Sequence, residues 1–180
     1  MKSLPLRLTL CALLVFGGAT VFAQSANYGR FKGDITAGYS YPTDLESKFG
    51  FNFSMEPKFN VTDNIAVGVK VEAAAFLGDS FDGGSSAIIM RSYMATGEYY
   101  FGQKKVRPFV GVGVGGIQRM LTSSDEDFDA VITEKMLFGF APRVGAQFGQ
   151  FRTAVEFNVA QENTYISVKL GATIGGKRKQ

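Results

Sequence analysis

The chain has 180 residues, with 19 lysines and arginines against 16 aspartates and glutamates, a formal net charge of +3, and neither histidine nor tryptophan. So small a basic surplus, strung along the chain instead of gathered into a patch, excludes a nucleic-acid surface. Without histidine there is no Ser-His or Asp-His machinery, and the single cysteine, Cys11, falls in a leader segment, so thiol catalysis, disulfides and thiolate metal sites are excluded from the mature chain.

That leader is residues 1–23. Lys2 and Arg7 form a basic start, Leu8 to Phe16 an apolar centre, and Val21-Phe22-Ala23 a small-residue exit before Gln24, the pattern of a secretory signal cut after Ala23. The apolar run is shorter than the roughly 20 residues that a spanning helix needs. Acylation at Cys11 is the weaker reading, because Leu10 suits that cleavage poorly and the small-residue site comes later. Residues 24–180 then form one domain, in which 17 basic residues nearly balance the 16 acidic ones.

Eight runs of alternating polarity follow, each longer than the 5 or 6 residues common in globular strands. The first, F-K-G-D-I-T-A-G-Y-S-Y (31–41), sets Lys32, Asp34, Thr36 and Ser40 opposite Phe31, Ile35, Ala37, Tyr39 and Tyr41. The second (51–61) sets Asn52, Ser54, Glu56 and Lys58 against Phe51, Phe53, Met55 and Phe59; the third (65–76) sets Lys70 and Glu72 against Ile65, Val67, Val69 and Val71. The fourth, from Tyr93 to Phe101, turns Thr96 and Glu98 away from Ala95, Tyr99 and Phe101, while Arg91 near its start falls on the apolar parity, where a rim position lets it reach water. The fifth (106–115) sets Arg107 and three glycines against Val110, Val112 and Val114. The last three set Arg143 and Gln147, then Arg152, Glu156 and Asn158, then Ser167, Lys169 and Thr173, against faces of Phe, Val, Leu and Ile. No helical period is sustained after residue 24, so the class is all-β.

The connections alternate in character. T-D-N (62–64), G-Q-K-K (102–105) and G-Q (149–150) are short turns, whereas 42–48, 77–86 and 121–130 read as longer, more acidic loops, with Q-E-N (161–163) a short fourth member. Short turns at one end and longer loops at the other are the pattern of an outer-membrane barrel with both termini in the periplasm.

Bulk decides which face is inside. The Phe, Tyr and Val face is too large for the lumen of an eight-stranded barrel, which only just holds its own side chains, so a soluble lipocalin-like barrel is disfavoured. The polar face mixes glycines with a few long charged groups. Asp34, Glu56, Glu72, Glu98 and Glu156 then meet Lys32, Lys58, Lys70, Arg107, Arg143, Arg152 and Lys169 across the lumen as an ionic network. Aromatics gather at two rims, Tyr39, Tyr41, Phe51 and Phe53 at one and Phe59, Tyr99, Phe101, Phe148 and Phe151 at the other.

On P-K-F-N-V-T-D-N-I-A-V-G-V-K (57–70), Y-Y-F-G (99–102), R-P-F-V-G-V-G-V-G (107–115) and V-K-L-G-A-T-I-G-G (168–176), the chain resembles the small outer-membrane β-barrel domain family, whose architecture is that of the outer membrane protein A transmembrane domain. The resemblance implies a single antiparallel up-and-down transmembrane barrel of eight strands, inserted in the bacterial outer membrane by the barrel assembly machinery, in contact with outer-membrane lipids and lipopolysaccharide. It implies no one activity. The terminal aromatic frequent in such barrels is replaced here by G-G-K-R-K-Q.

Two motifs carry less than their patterns suggest. Gly111 to Gly116 satisfies G-x-G-x-x-G, but its valines alternate as strand residues and no amphipathic helix follows. Asp125, Asp127 and Asp129 have the opening spacing of a calcium loop, but Ala130 and Met136 stand where that loop needs Gly and Glu, which leaves a solvated acidic loop. No enzyme activity, cofactor or metal is expected. The expected function is a structural, surface-interaction or adhesion role with a closed lumen; the alternative is a small transporter or binder of an apolar solute through the wall, hinted at by Phe76 and Met94 on the inward parity.

Overall fold

The computed structural model describes residues 27–43, 49–79, 85–102, 105–125, 128–133, 136–161 and 164–176, so the leader with Cys11 lies outside the description, as does Asp127. Nine strands follow one another: β1 (Phe31–Pro42), β2 (Phe49–Asn60), β3 (Ile65–Asp79), β4 (Ser85–Tyr100), β5 (Val106–Asp125), β6 (Phe128–Thr133), β7 (Leu137–Phe148), β8 (Phe151–Asn158) and β9 (Tyr165–Gly175). Every pairing is antiparallel. Each strand pairs with the next from β1 to β5, β5 pairs with β7, β7 with β8 and β8 with β9, and β9 returns to β1. The circuit closes with eight staves, because β6 pairs with the far end of β5 and lies in line with β7 as the interrupted upper part of one stave. Closure leaves no edge, which is what lets a sheet cross lipid.

The first short turn closes as the sequence implies. In T-D-N, the Thr62 hydroxyl accepts the backbone N–H groups of Asn64 at 3.2 Å and Ile65 at 3.0 Å. At the same rim Asn60 N–H donates to the Arg30 carbonyl at 2.7 Å and Gly176 N–H to the Phe31 carbonyl at 3.0 Å, so both ends of the described chain lie there.

The opposite end differs from the expectation. Residues 77–79, 85–86, 121–125 and 128–130, read from sequence as loop, are paired strand: Asp79 faces Ser85, Ser123 faces Ala130 and Asp125 faces Phe128. Their Ser, Gly and Asp content is poor in strand formers, but strand preference depends on context. Once Phe76↔Ile88 and Ile117↔Ser92 are in register, extending the arms satisfies backbone groups pair by pair. The fourth strand accordingly begins at Ser85, well before Tyr93.

The charged parity faces in and the apolar parity out. Lys58, Lys70 and Glu72 are buried, while Val67, Val69, Val71 and their counterparts on every stave are exposed. Two aromatic belts ring the wall. Phe31 stacks edge-on against Phe59 at 5.3 Å and Tyr99 against Phe101 at 5.1 Å at the rim of short turns; Tyr39 packs on Phe51 at 4.8 Å at the other.

Packing inside is tight enough to dictate glycines. A Cβ on Gly145 would stand 2.2 Å from the Thr153 carbonyl oxygen and 2.6 Å from the Phe109 ring, whereas one on Gly97 would meet nothing within 4 Å. Gly145→Val should therefore lower folding free energy by about 1–3 kcal/mol, and Gly97→Ala should leave it nearly unchanged. Urea titration of the detergent-folded protein measures both, and equal midpoints would show that Phe109 does not fill the lumen beside β7.

Candidate functional site

Among the described residues, chemistry-bearing side chains converge in the lumen. Because β1, β2, β4 and β8 each present one parity inward, five charges meet near the rim of short turns. Lys58 Nζ lies 2.6 Å from both Asp34 Oδ2 and Glu98 Oε2, and 3.3 Å from Glu56. Arg152 lies 3.3 Å from Asp34 and pairs closely with Glu98. Thr173 donates to the other Asp34 oxygen at 2.6 Å.

Arg143 links this tier to the next. Its guanidinium pairs with Glu56, lies 3.1 Å from Glu98 and reaches Glu156 at 3.5 Å. Beyond it Glu156 takes Lys169 at 2.6 Å and Lys70 closely, Lys70 lies 3.0 Å from Glu72, and Glu72 pairs with Lys169. The carboxylates Asp34, Glu56, Glu72, Glu98 and Glu156 thus share the bases Lys58, Lys70, Arg143, Arg152 and Lys169, and all ten side chains are buried. An unpaired charge in such a place costs several kcal/mol, which is why each is bonded more than once.

Arg107 departs from the expectation. It is buried at the lower rim, but its guanidinium donates to the carbonyls of Asp63 and, at 3.4 Å, Gly102, and it lies over the rings of Tyr28 at 4.0 Å and Tyr100 at 4.6 Å. The reason is position. Arg107 is the second residue of β5, below the tier of carboxylates, so backbone oxygens and π faces take the place of an acid. Lys32 is similar, donating to the Tyr100 hydroxyl at 2.8 Å.

Two tyrosines are members of the lattice that polarity alone did not single out. The Tyr100 hydroxyl donates to Glu98 at 2.6 Å and accepts from Arg152 at 3.0 Å, and the Tyr165 hydroxyl donates to Glu72 at 3.0 Å. The signal was their parity: Tyr100 shares it with Glu98, and Tyr165 with Lys169. Apolar clusters cap the charges. Ala74, Phe76, Met90 and Tyr165 pack together beyond Glu72; Met94, Ile117, Ala141 and Ala160 form a second group. Phe76 and Met94 are therefore packed, with Phe76 edge-on to Tyr165 at 5.6 Å.

Free space among Glu56, Lys70, Arg143, Arg152, Glu156 and Lys169 is about 10 Å³. That is room for one water at most. Each of the lattice's five acids holds a cation, so among the described residues the lattice leaves none of its carboxylates as a free base.

No protein-family model and no curated protein matches the chain. Solved structures match its fold. Neisserial surface protein A aligns with a TM-score of 0.58 at 10% identity, over 81% of this chain and 96% of its own. The outer membrane protein OprG of Pseudomonas aeruginosa aligns at 0.53 and 12% identity, over 84% and 99%. Ail, the attachment invasion locus protein of Yersinia pestis, in complex with the heparin analogue sucrose octasulfate, aligns at 0.50 and 15% identity, over 81% and 99%. The chain has the fold of the small outer-membrane β-barrels.

Because Glu98 meets Lys58, Arg143 and Arg152 at once, Glu98→Ala should destabilise the folded barrel by about 3–5 kcal/mol. Val69→Ala, on the outer face, should cost under about 1 kcal/mol, since lipid replaces what it loses. Urea unfolding in lipid vesicles compares them, and similar small losses would mean that the lumen charges are solvated.

Proposed function

We propose that the protein is an outer-membrane anchor whose lumen is closed by its ionic lattice and whose work is done at its surface, in envelope integrity or in adhesion-type contact. The observation that carries this reading is the lattice itself: charges from β1, β2, β3, β4, β7, β8 and β9 are cross-linked through the middle of the barrel, with space for one water. An apolar wall between aromatic belts supports insertion in a bilayer. Export by cleavage after Ala23, insertion by the barrel assembly machinery, and contact with outer-membrane lipids and lipopolysaccharide belong to the same proposal. So does the orientation, in which the short turns face the periplasm and the long β3–β4 and β5–β6 hairpins stand outside.

A surface role accords with the attachment protein among the structures of like fold. Transport of an apolar solute has less support, since Phe76 and Met94, the side chains such a route would use, are packed in closed clusters. The absence of histidine and the engagement of every lumen acid by cations support a non-enzymatic role.

Purified protein in a planar bilayer should show no steady conductance. Stable, uniform channels whose ion selectivity changed on Arg143→Ala would replace the anchor with a pore. The orientation is tested separately. In intact cells an impermeant thiol reagent should label Gln161→Cys, at an exposed turn of the outer end, and spare Gln150→Cys, at an exposed turn of the other; the reverse pattern would invert the barrel.

A further inference from the structure

The outer wall carries one charge out of place. On the outward parity of the strands, Arg91 of β4 is the single charged residue described at the level of the wall, flanked by Ala73 of β3 and Gln118 of β5, whereas Asp79 of β3 and Asp129 of β6 share that parity only further out, on the hairpins. It is exposed and, among the described residues, has no hydrogen-bond or ion-pair partner. Arg91 and Tyr99 lie on the same face of β4, eight residues apart. At about 3.3 Å per residue and a tilt near 40°, Arg91 stands roughly 20 Å above the lower belt. The apolar band of such barrels is about 25 Å tall, so the guanidinium sits at its upper margin, where headgroups begin.

Below it the wall is hollowed. Phe53, Met55, Val71, Ala73 and Tyr93 line, with Arg91 and with Glu72, whose own carboxylate is buried against Lys70 and Lys169, a groove of about 190 Å³. The hollow exists because Ala73 is small where its cross-strand neighbour Phe53 is large. A slot lined by apolar side chains takes an acyl chain, and a guanidinium at its headgroup end takes a phosphate, which its planar fork can bind through two hydrogen bonds.

We propose that this groove is a binding site for a phosphorylated, acylated glycolipid of the lipid A type, with one acyl chain along Phe53, Val71 and Ala73 and a phosphate on Arg91. The choice of glycolipid over phospholipid rests on the orientation given above, which puts Arg91 in the outer leaflet. A glycolipid also offers several chains fixed to one phosphorylated head, so that filling the groove and pairing the cation happen together.

Native mass spectrometry of the detergent-folded protein, with bis-phosphorylated lipid A as the probe, tests the site. Wild-type protein should retain lipid A, and Arg91→Gln should retain about tenfold less, the scale of a lost charge-assisted pair. Dephosphorylated lipid A should bind wild type as weakly as lipid A binds the variant, an arm that needs no mutant to fold. Ala73→Leu, which fills the groove and keeps Arg91, should also reduce retention. Equal retention by Arg91→Gln, insensitivity to phosphate removal, or equal retention of phosphatidylglycerol would each overturn the proposal. Failure of the orientation itself is read by the thiol labelling, not by lipid retention, so the two outcomes are distinguishable.

Discussion

Everything in this molecule depends on neutralising charge inside a space with room for one water at most. Glu98 shows how: it stands among Lys58, Arg143 and Arg152, and takes the Tyr100 hydroxyl as well. Water would otherwise solvate these groups, but eight staves enclose a lumen that their own side chains fill. The register of β2 against β3 follows from the same constraint. Gly68 lies opposite Lys58, and a Cβ there would stand 2.8 Å from the lysine Cγ. Small residues therefore sit where long charged chains lie down, and the ladder is fixed by that fit as much as by its hydrogen bonds.

The outer face obeys the opposite solvent. Lipid tails are as apolar as the side chains that meet them, so Val69 or Leu170 gains little from neighbours and needs only to be apolar. That freedom explains why the wall tolerates hollows while the interior does not. A groove of about 680 Å³ lies outside near Phe148, Phe151 and Leu170, against about 10 Å³ left among the lumen charges. Arg91 breaks the rule of the wall, and it does so at the margin where headgroups can answer it.

How much of this the sequence disclosed follows from where parity is a clean signal. In β3, Lys70 and Glu72 alternate with Val67, Val69 and Val71, and the strand, its inner face and its turn to β2 were all legible. Where the chain leaves the bilayer the contrast ends: residues 122–127 are polar throughout, so composition suggests a loop, while the backbone continues its ladder to Asp125 and Phe128. Tyr100 and Tyr165 were hidden for another reason. An aromatic ring counts as apolar on a wall, and its hydroxyl matters only once a carboxylate is known to lie within reach. The same holds for Arg107, whose partners are carbonyls and rings that no pattern of charge reveals.

A buried ion lattice is not the cheapest way to fill a barrel, since well-packed apolar side chains are often as stable or more so. Its gain is discrimination. A slip of one residue between strands turns every side chain to the other face. With apolar residues on both faces such a slip would cost little in lipid. Here it would drive Lys70 and Glu72 of β3, or Arg152 and Glu156 of β8, into the bilayer, and each lysine or arginine so exposed near the midplane costs about 2–4 kcal/mol. The penalty accrues on every stave that slips, because β1, β2, β3, β4, β7, β8 and β9 each carry at least one member of the lattice. β5 is the exception. Its inward positions between Phe109 and Ile117 are Gly111, Gly113 and Gly115, and it holds register instead through close approach, with a Cβ on Gly115 falling 2.0 Å from the Tyr93 carbonyl oxygen. Charge fixes seven staves and the lack of a side chain fixes the eighth, so the same choices that fill the lumen also leave the chain a single way to close the barrel.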